Sequence, residues 1–402
     1  MSQMRDLRVL LVHRTFQDPG GGNAVGAWLA QALAGSVALE VLTELPWQPN
    51  VVDAFWGTSL ARCQPPQHVV PPPASLILRL RSSLSNEGAG TRFDRLRLAL
   101  LFREAQRLGP QFDLCITAEN FGAFNRPGIQ YVHYPVTFRP DPAFAAPLVR
   151  RYYDLCDALS GLTKEVAARN LTLTNSQWTA RALGEMGIAA RVIYPPVFDP
   201  GPGLPWHERD NAVLCLGRFH PTKRMDAIMA IVARVRDSHP DITLRFIGSP
   251  VDRHYMKQMR GVAAAHGDWI TFHQDLPRSA VAAMLGRARY GIHAMEREHF
   301  GMAPAEMTRA GMLVFCHRSG GLVEVVNGEE RLLWNDEAEA IGRMQSMLSE
   351  PEELRADLSA SLRTIASRFS EERFCAEVRD AVRDSASIPS ARSPSRATAC
   401  AP

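Results

Sequence analysis

Short apolar segments alternate with helix-like segments along this chain, and the alternation starts twice. Residues 8–13, RVLLVH, form a Val- and Leu-rich run of the kind that makes a strand buried on both faces. A glycine cluster, Gly20-Gly21-Gly22, follows, and then an apolar stretch over 24–34 with helical character. Strand, glycine turn and helix open a doubly wound α/β domain. Further strands are predicted over 114–117, 129–133 and 191–197, the last running into Pro195-Pro196. Residues 198–209, FDPGPGLPWHER, carry Pro and Gly without periodicity and read as a linker. The pattern then restarts. Strands are predicted over 212–216, 244–247, 269–273, 290–293 and 313–316, with helices over 223–236 and 304–310 between them. Such alternation implies parallel βαβ units. The chain has 402 residues, which suits two domains rather than one core.

The expected fold class is therefore α/β, with two Rossmann-like doubly wound domains facing a central cleft. The expected boundaries are a first domain over 1–198, a linker over 199–209 and a second domain over 210–368. A helix over 369–384 should pack back on the first domain, and a Ser-, Ala-, Pro- and Arg-rich tail over 385–402 should be disordered.

Composition removes several function classes. A formal net charge of +3 is weak for a nucleic-acid binder that works mainly by electrostatics. Seven scattered cysteines without a CxxC pair argue against a disulfide framework or a structural zinc site and fit reduced thiols in the cytoplasm. No apolar run approaches the ~20 residues of a spanning helix, and a secretory leader is not expected.

Three clusters carry chemistry. The first is Glu298-His-Phe-Gly-Met-Ala-Pro-Ala-Glu306, in which seven residues separate two glutamates. Glu298 is expected on the loop leaving a strand, and Glu306 in the first turn of the next helix, where Pro304 is favoured. Ligands of open α/β sheets bind at such carboxyl ends. The amides of Phe300, Gly301 and Met302 can face an anion at the helix N-terminus, and a carboxylate can accept two sugar hydroxyls. On spacing alone, the two residues read equally as helix-start glutamates favoured by the dipole.

The second cluster is Gly217-Arg-Phe-His-Pro-Thr-Lys223, after the first strand of the second domain. Arg218 and Lys223 suit a diphosphate, Arg as a bidentate fork and Lys as a point charge; two solvated surface cations are the alternative. The third is Gly20–Gly22, of which Gly21 and Gly22 would let a ligand approach. It is not the GxGxxG fingerprint, which disfavours a nicotinamide dehydrogenase. His133, in YVHYP, falls at the end of a predicted first-domain strand and is a candidate cleft residue, with a structural role as the alternative.

Together these motifs resemble the retaining nucleotide-sugar glycosyltransferases of family four, with the GT-B fold. The E-x7-E element, the basic pair Arg218 and Lys223, and the glycine loop at Gly21 and Gly22 match the family's pattern. YVHYP at 131–135, NSQWT at 175–179, YPPV at 194–197, EHFGMAPAE at 298–306 and SGG at 319–321 are similar to the branch that adds α-1,2-mannose to a lipid-linked oligosaccharide. Asn23, where that branch often has a glutamate, and Thr308-Arg309, where small residues are common, depart from it.

The resemblance implies that Glu306 holds ribose hydroxyls and that Arg218 and Lys223 neutralise a leaving diphosphate. It further implies that Glu298, with the amides of Phe300, Gly301 and Met302, orients the donor sugar, that His133 contacts that sugar near its 6-hydroxyl or supports the oxocarbenium-like transition state, and that His133 and Glu298 are the catalytic pair. Transfer of a hexose, mannose favoured, from a GDP- or UDP-sugar to a glycan or lipid-linked acceptor is then expected, with retention and without metal or other cofactor. An inactive nucleotide-sugar-binding shell and a sugar-nucleotide epimerase are the alternatives. The basic stretch over 76–107, with Arg79, Arg81, Arg92, Arg95, Arg97, Arg103 and Arg107, reads either as a peripheral membrane contact or as an amphipathic helix on the core.

Overall fold

The computed structural model describes residues 2–16, 20–71, 94–135, 147–201 and 203–387. It contains two fully parallel sheets. The first has seven strands in the order β3-β2-β1-β4-β5-β6-β7, and the second six in the order β10-β9-β8-β11-β12-β13. The first-sheet strands are β1 (Arg8–Val12), β2 (Ala38–Thr43), β3 (Gln67–Val69), β4 (Leu114–Thr117), β5 (Ile129–Val132), β6 (Leu171–Thr174) and β7 (Ala190–Val192). The second sheet comprises β8 (Asp210–Leu216), β9 (Thr243–Gly248), β10 (Ile270–Gln274), β11 (Ala288–His293), β12 (Leu313–His317) and β13 (Leu333–Trp334). Both sheets follow the doubly wound 3-2-1-4 order. The order in which strands are added therefore reverses between β1 and β4 in one and between β8 and β11 in the other, opening a crevice at each reversal.

The sequence expectations for the element edges need several corrections. The helix after β1 is Gly21–Leu33, so Gly21 and Gly22 form its opening turn instead of a loop ahead of it. β7 stops at Val192, because the prolines beyond cannot donate to a ladder. The helix of the E-x7-E element is Met302–Arg309. It starts two residues before Pro304, so Glu306 sits in its second turn, not its first. β2, β3, β6 and β13 had no counterpart in the sequence reading.

The last helix, Glu371–Ser387, returns to the first domain: Phe374, Val378, Ala381 and Val382 join the core that contains Val9, Leu11, Leu29 and Val41. Residues 385–387, expected in the tail, are helical; 388–402 lie outside the described residues. Among the described residues, no helix is long and apolar enough to cross a membrane.

Of the basic stretch, only 94–107 is described, within the helix Asp94–Leu108. Arg97 is buried and ion-paired with Glu44, Arg95 pairs with Asp157 at 2.5 Å, and Arg107 pairs with Glu104 at 2.6 Å. That helix packs its apolar face on Leu10, Val12 and Leu42. Arg79, Arg81 and Arg92 lie outside the described residues.

Candidate active site

Every candidate residue lies at the carboxyl end of a strand that flanks one of the two reversals or its neighbour. In the first domain the helix after β1 presents Gly21 and Gly22. A Cβ on Gly22 would stand 3.4 Å from His133 Nε2, and one on Gly21 would stand 3.2 Å from Met302 Cγ of the second domain. The glycine turn, His133 and the start of the E-x7-E helix thus meet across one cleft.

His133 is held from three sides. Its amide donates to Asn120 Oδ1 at 2.8 Å, and its carbonyl accepts from Asn175 Nδ2 at 2.7 Å. Its Nε2 lies 2.8 Å from the carbonyl of Ala118, so Nε2 carries the hydrogen and Nδ1 is left as an acceptor. Burial pushes the imidazole down to about 4. At neutral pH His133 is therefore an uncharged acceptor, suited to a hydroxyl and not to proton donation. Beneath it, Glu119 lies 2.8 Å from His13 Nδ1 and accepts from the Arg14 amide at 2.9 Å. Burial acts to raise this carboxyl, but His13 and Arg14 prevail and hold it at about 2.

In the second domain Lys223 and Glu298 form an ion pair, with Nζ 2.6 Å from Oε2. The sequence reading gave Lys223 to a diphosphate. The structure shows it engaged by the carboxylate, because the turns after β8 and β11 are neighbours across the reversal. Burial acts against the Glu298 carboxylate, yet His293 and Lys223 keep its pKa well below the usual range. Arg218 is exposed, and among the described residues its side chain has no ion pair or hydrogen bond. Among the described residues, the amides of Phe300, Gly301 and Met302 donate no hydrogen bond either, leaving the start of the helix open.

Glu306 is half-buried one turn further on. Burial pushes its carboxyl up to about 7, against the pull of Arg278 and Arg309. Its neighbours explain the Thr308-Arg309 departure. Arg309 is buried and bonds the carbonyl of Val197 and, at 3.0 Å, Asp199, so it ties this helix to the linker.

The Glu298 loop rests on the SGG turn. Gly320 has φ of +70°, and a Cβ there would fall 1.9 Å from the Glu298 carbonyl. Gly321 donates to that carbonyl at 2.8 Å, and Ser319 Oγ accepts from the Arg297 amide at 2.7 Å. From the first domain, Ser176 Oγ donates to the carbonyl of His299 at 2.6 Å. Glu324 crosses in the opposite sense and accepts from the amides of Gln177 and Trp178 at 2.9 and 3.0 Å and from Tyr194 OH at 2.9 Å. It thereby caps the helix Gln177–Glu185 of the other domain. His293, Glu324, Glu119 and Asn120 were missed by the sequence reading. The only sequence signal was that His293 and Glu119 follow strand-like runs and that Glu324 follows SGG.

This cleft between two doubly wound domains is the architecture of the GT-B glycosyltransferases. Anabaena HepE in complex with UDP and glucose superposes with a TM-score of 0.66 at 16% identity, covering 94% of this chain and 100% of that one. WaaG, a glycosyltransferase involved in lipopolysaccharide biosynthesis, gives a TM-score of 0.62 at 13% identity, with 95% and 100% covered.

Residues 202–364 match the family model of the glycosyl transferases group 1, so the likeness read from the motifs holds. The human GDP-Man:Man(3)GlcNAc(2)-PP-Dol alpha-1,2-mannosyltransferase is 26% identical over 249 residues, 56% of this chain and 50% of that protein. The mouse protein of the same name is 25% identical over 286 residues, 61% of this chain and 58% of the relative. The matched segment spans about half the length of these curated relatives.

Proposed function

We propose that this protein is a retaining, metal-independent glycosyltransferase that moves a hexose, with mannose favoured, from a nucleotide-sugar to a glycan or lipid-linked acceptor. The observation that carries the reading is the meeting of Gly21, Gly22 and His133 with Met302 across the cleft, next to Lys223 and Glu298. Mannose is favoured because the curated relatives are named as α-1,2-mannosyltransferases. A UDP-sugar is the second choice, from the ligand of HepE.

The chemistry follows from where charge develops. Breaking the anomeric C–O bond leaves negative charge on the diphosphate and positive charge on the sugar ring. Arg218 and the open helix start at Phe300, Gly301 and Met302 meet the diphosphate. Lys223 lies within reach of both the diphosphate and Glu298, so it can be shared when the donor arrives. Glu298 orients sugar hydroxyls, Glu306 takes the ribose, and neutral His133 accepts a hydrogen bond from the sugar through Nδ1. With its pKa lowered to about 4, His133 is too weak a base to take the acceptor's proton, so that proton passes to the leaving phosphate oxygen on the face where the new bond forms, which retains configuration. Domain closure over Gly21 and Gly22 keeps water from the donor.

A lipid-linked acceptor would bring the first domain to the cytoplasmic face of a membrane. In the stretch 76–107, Arg95, Arg97 and Arg107 are engaged in ion pairs, so docking would rest on exposed Arg103 and on residues outside the described set. Flotation with anionic liposomes tests this, and failure to co-float removes the membrane contact. The activity is tested by thermal shift with GDP, UDP and their sugars, followed by release of nucleotide diphosphate with and without acceptor. Ligand binding raises the melting point by mass action. No response to any of them would overturn the reading, and binding without turnover would favour an inactive shell.

A further inference from the structure

His293 ends β11 and is buried, with 1% of its surface exposed. Its Nε2 lies 3.1 Å from Glu298 Oε2, the same oxygen that takes Lys223 Nζ at 2.6 Å. The other carboxylate oxygen, Oε1, makes no hydrogen bond among the described residues. A carboxylate oxygen only accepts, so the contact is favourable only with the hydrogen on Nε2. An apolar residue would fill a strand end at lower desolvation cost, since a buried imidazole is stabilised only through its hydrogen bonds.

The backbone around Glu298 is already fixed. Gly321 donates to the Glu298 carbonyl at 2.8 Å, Ser319 accepts from the Arg297 amide at 2.7 Å, and Ser176 donates to the carbonyl of His299 at 2.6 Å. The remaining freedom is the side-chain rotamer of Glu298, which among the described residues is hydrogen-bonded only by Lys223 and His293. Lys223 is also the cation a diphosphate would draw away.

We infer that His293 is a positioning residue: its Nε2–H keeps one oxygen of Glu298 in place when Lys223 turns to the diphosphate, so that the other oxygen faces the donor sugar. This rests on the glycosyltransferase reading. It adds a residue that touches neither substrate and yet sets how well the sugar half of the donor is held.

The test is isothermal titration of the full chain with GDP, GDP-mannose, UDP and UDP-glucose, comparing wild type with His293→Leu and His293→Gln. The glutamine amide can reproduce the Nε2 donor, whereas leucine cannot. His293→Leu should weaken binding of the nucleotide-sugar about tenfold while leaving the nucleotide diphosphate within about twofold, and His293→Gln should restore most of the loss. A merely structural role would weaken both ligands in parallel. That result, or no change in either, overturns the inference. Should His293→Leu fail to fold, His293→Gln against His293→Asn decides, because the shorter amide cannot reach Glu298; equal sugar-dependent affinities would overturn it. Wild type binding none of the four ligands would instead remove the glycosyltransferase reading itself, and this inference with it.

Discussion

Lys223 Nζ stands 2.6 Å from Glu298 Oε2, so the cation after the first strand of the second domain is already held by the carboxylate after its fourth. Both side chains are less than one-fifth exposed. Lys223→Met should therefore leave a mostly buried carboxylate without its counter-ion, held only by the His293 N–H among the described residues, and cost about 1–3 kcal/mol of stability. Arg218→Ala, at an exposed position without side-chain partners among the described residues, should change stability by less than about 0.5 kcal/mol. Both should weaken binding of nucleotide diphosphate, so thermal melts and titrations on the same samples separate the two cations. Equal melting losses would show that the ion pair is not what stabilises the loop.

Glu306 gives a pH prediction. Its carboxyl is raised from 4.5 to about 7 in the folded chain. Between those values the folded state holds a proton that the unfolded state does not, so stability declines as pH rises through this window and stays lower above it. Glu306→Gln mimics the protonated form. It should raise the melting point at about pH 8, by about 2 °C or more, and change it little at about pH 4. Donor affinity in the wild type should grow as pH rises through about 7, because only the carboxylate accepts two ribose hydroxyls. A flat pH dependence of donor binding would remove Glu306 from the ribose site.

Two glycines of one helix should respond oppositely. A Cβ on Gly26 would stand 2.5 Å from His13 Nε2, inside a buried and fixed ring. Gly26→Ala should cost about 1–3 kcal/mol through overpacking. Among the described residues, a Cβ on Gly21 would face only the flexible Met302 side chain at 3.2 Å. Gly21→Ala should leave the melting point unchanged or slightly higher, since alanine favours the helix, while lowering transfer by narrowing the cleft. A stable and fully active Gly21→Ala variant would show that the cleft does not close on this turn.

Glu324 is a contact between domains, not a surface charge. Glu324→Ala strands the amides of Gln177 and Trp178 and the hydroxyl of Tyr194. The expected cost is about 1–3 kcal/mol. Calorimetry should show the unfolding profile of the variant broader or more split than that of the wild type as the domains uncouple. An unchanged, sharp transition would mean that the other contacts, such as Ser176 with His299 and the last helix on the first-domain core, couple the domains without Glu324.

The alternation of apolar runs with helices was legible as two parallel α/β domains, because strands buried on both faces must be continuously apolar and crossover helices must separate them. The cluster residues were legible for a related reason: carboxyl ends of strands are where such sheets bind ligands, so Glu298, Lys223, Arg218 and His133 could be picked from position along the chain. Their partners were not. Whether Lys223 faces a carboxylate or an open cleft depends on β8 lying beside β11, a neighbour relation set by strand order and not by sequence distance. His293 reads in sequence as one more residue of a buried strand, and Glu324 as one more helical glutamate. Only packing carries the first to Glu298 and the second across the cleft to the helix Gln177–Glu185. Hydrophobic periodicity determined which segments are strands and helices. The ion pairs, the tautomer of His133 and the grip between the domains were decided by tertiary contacts, because they pair groups dozens to more than a hundred residues apart or depend on the local burial that such contacts create.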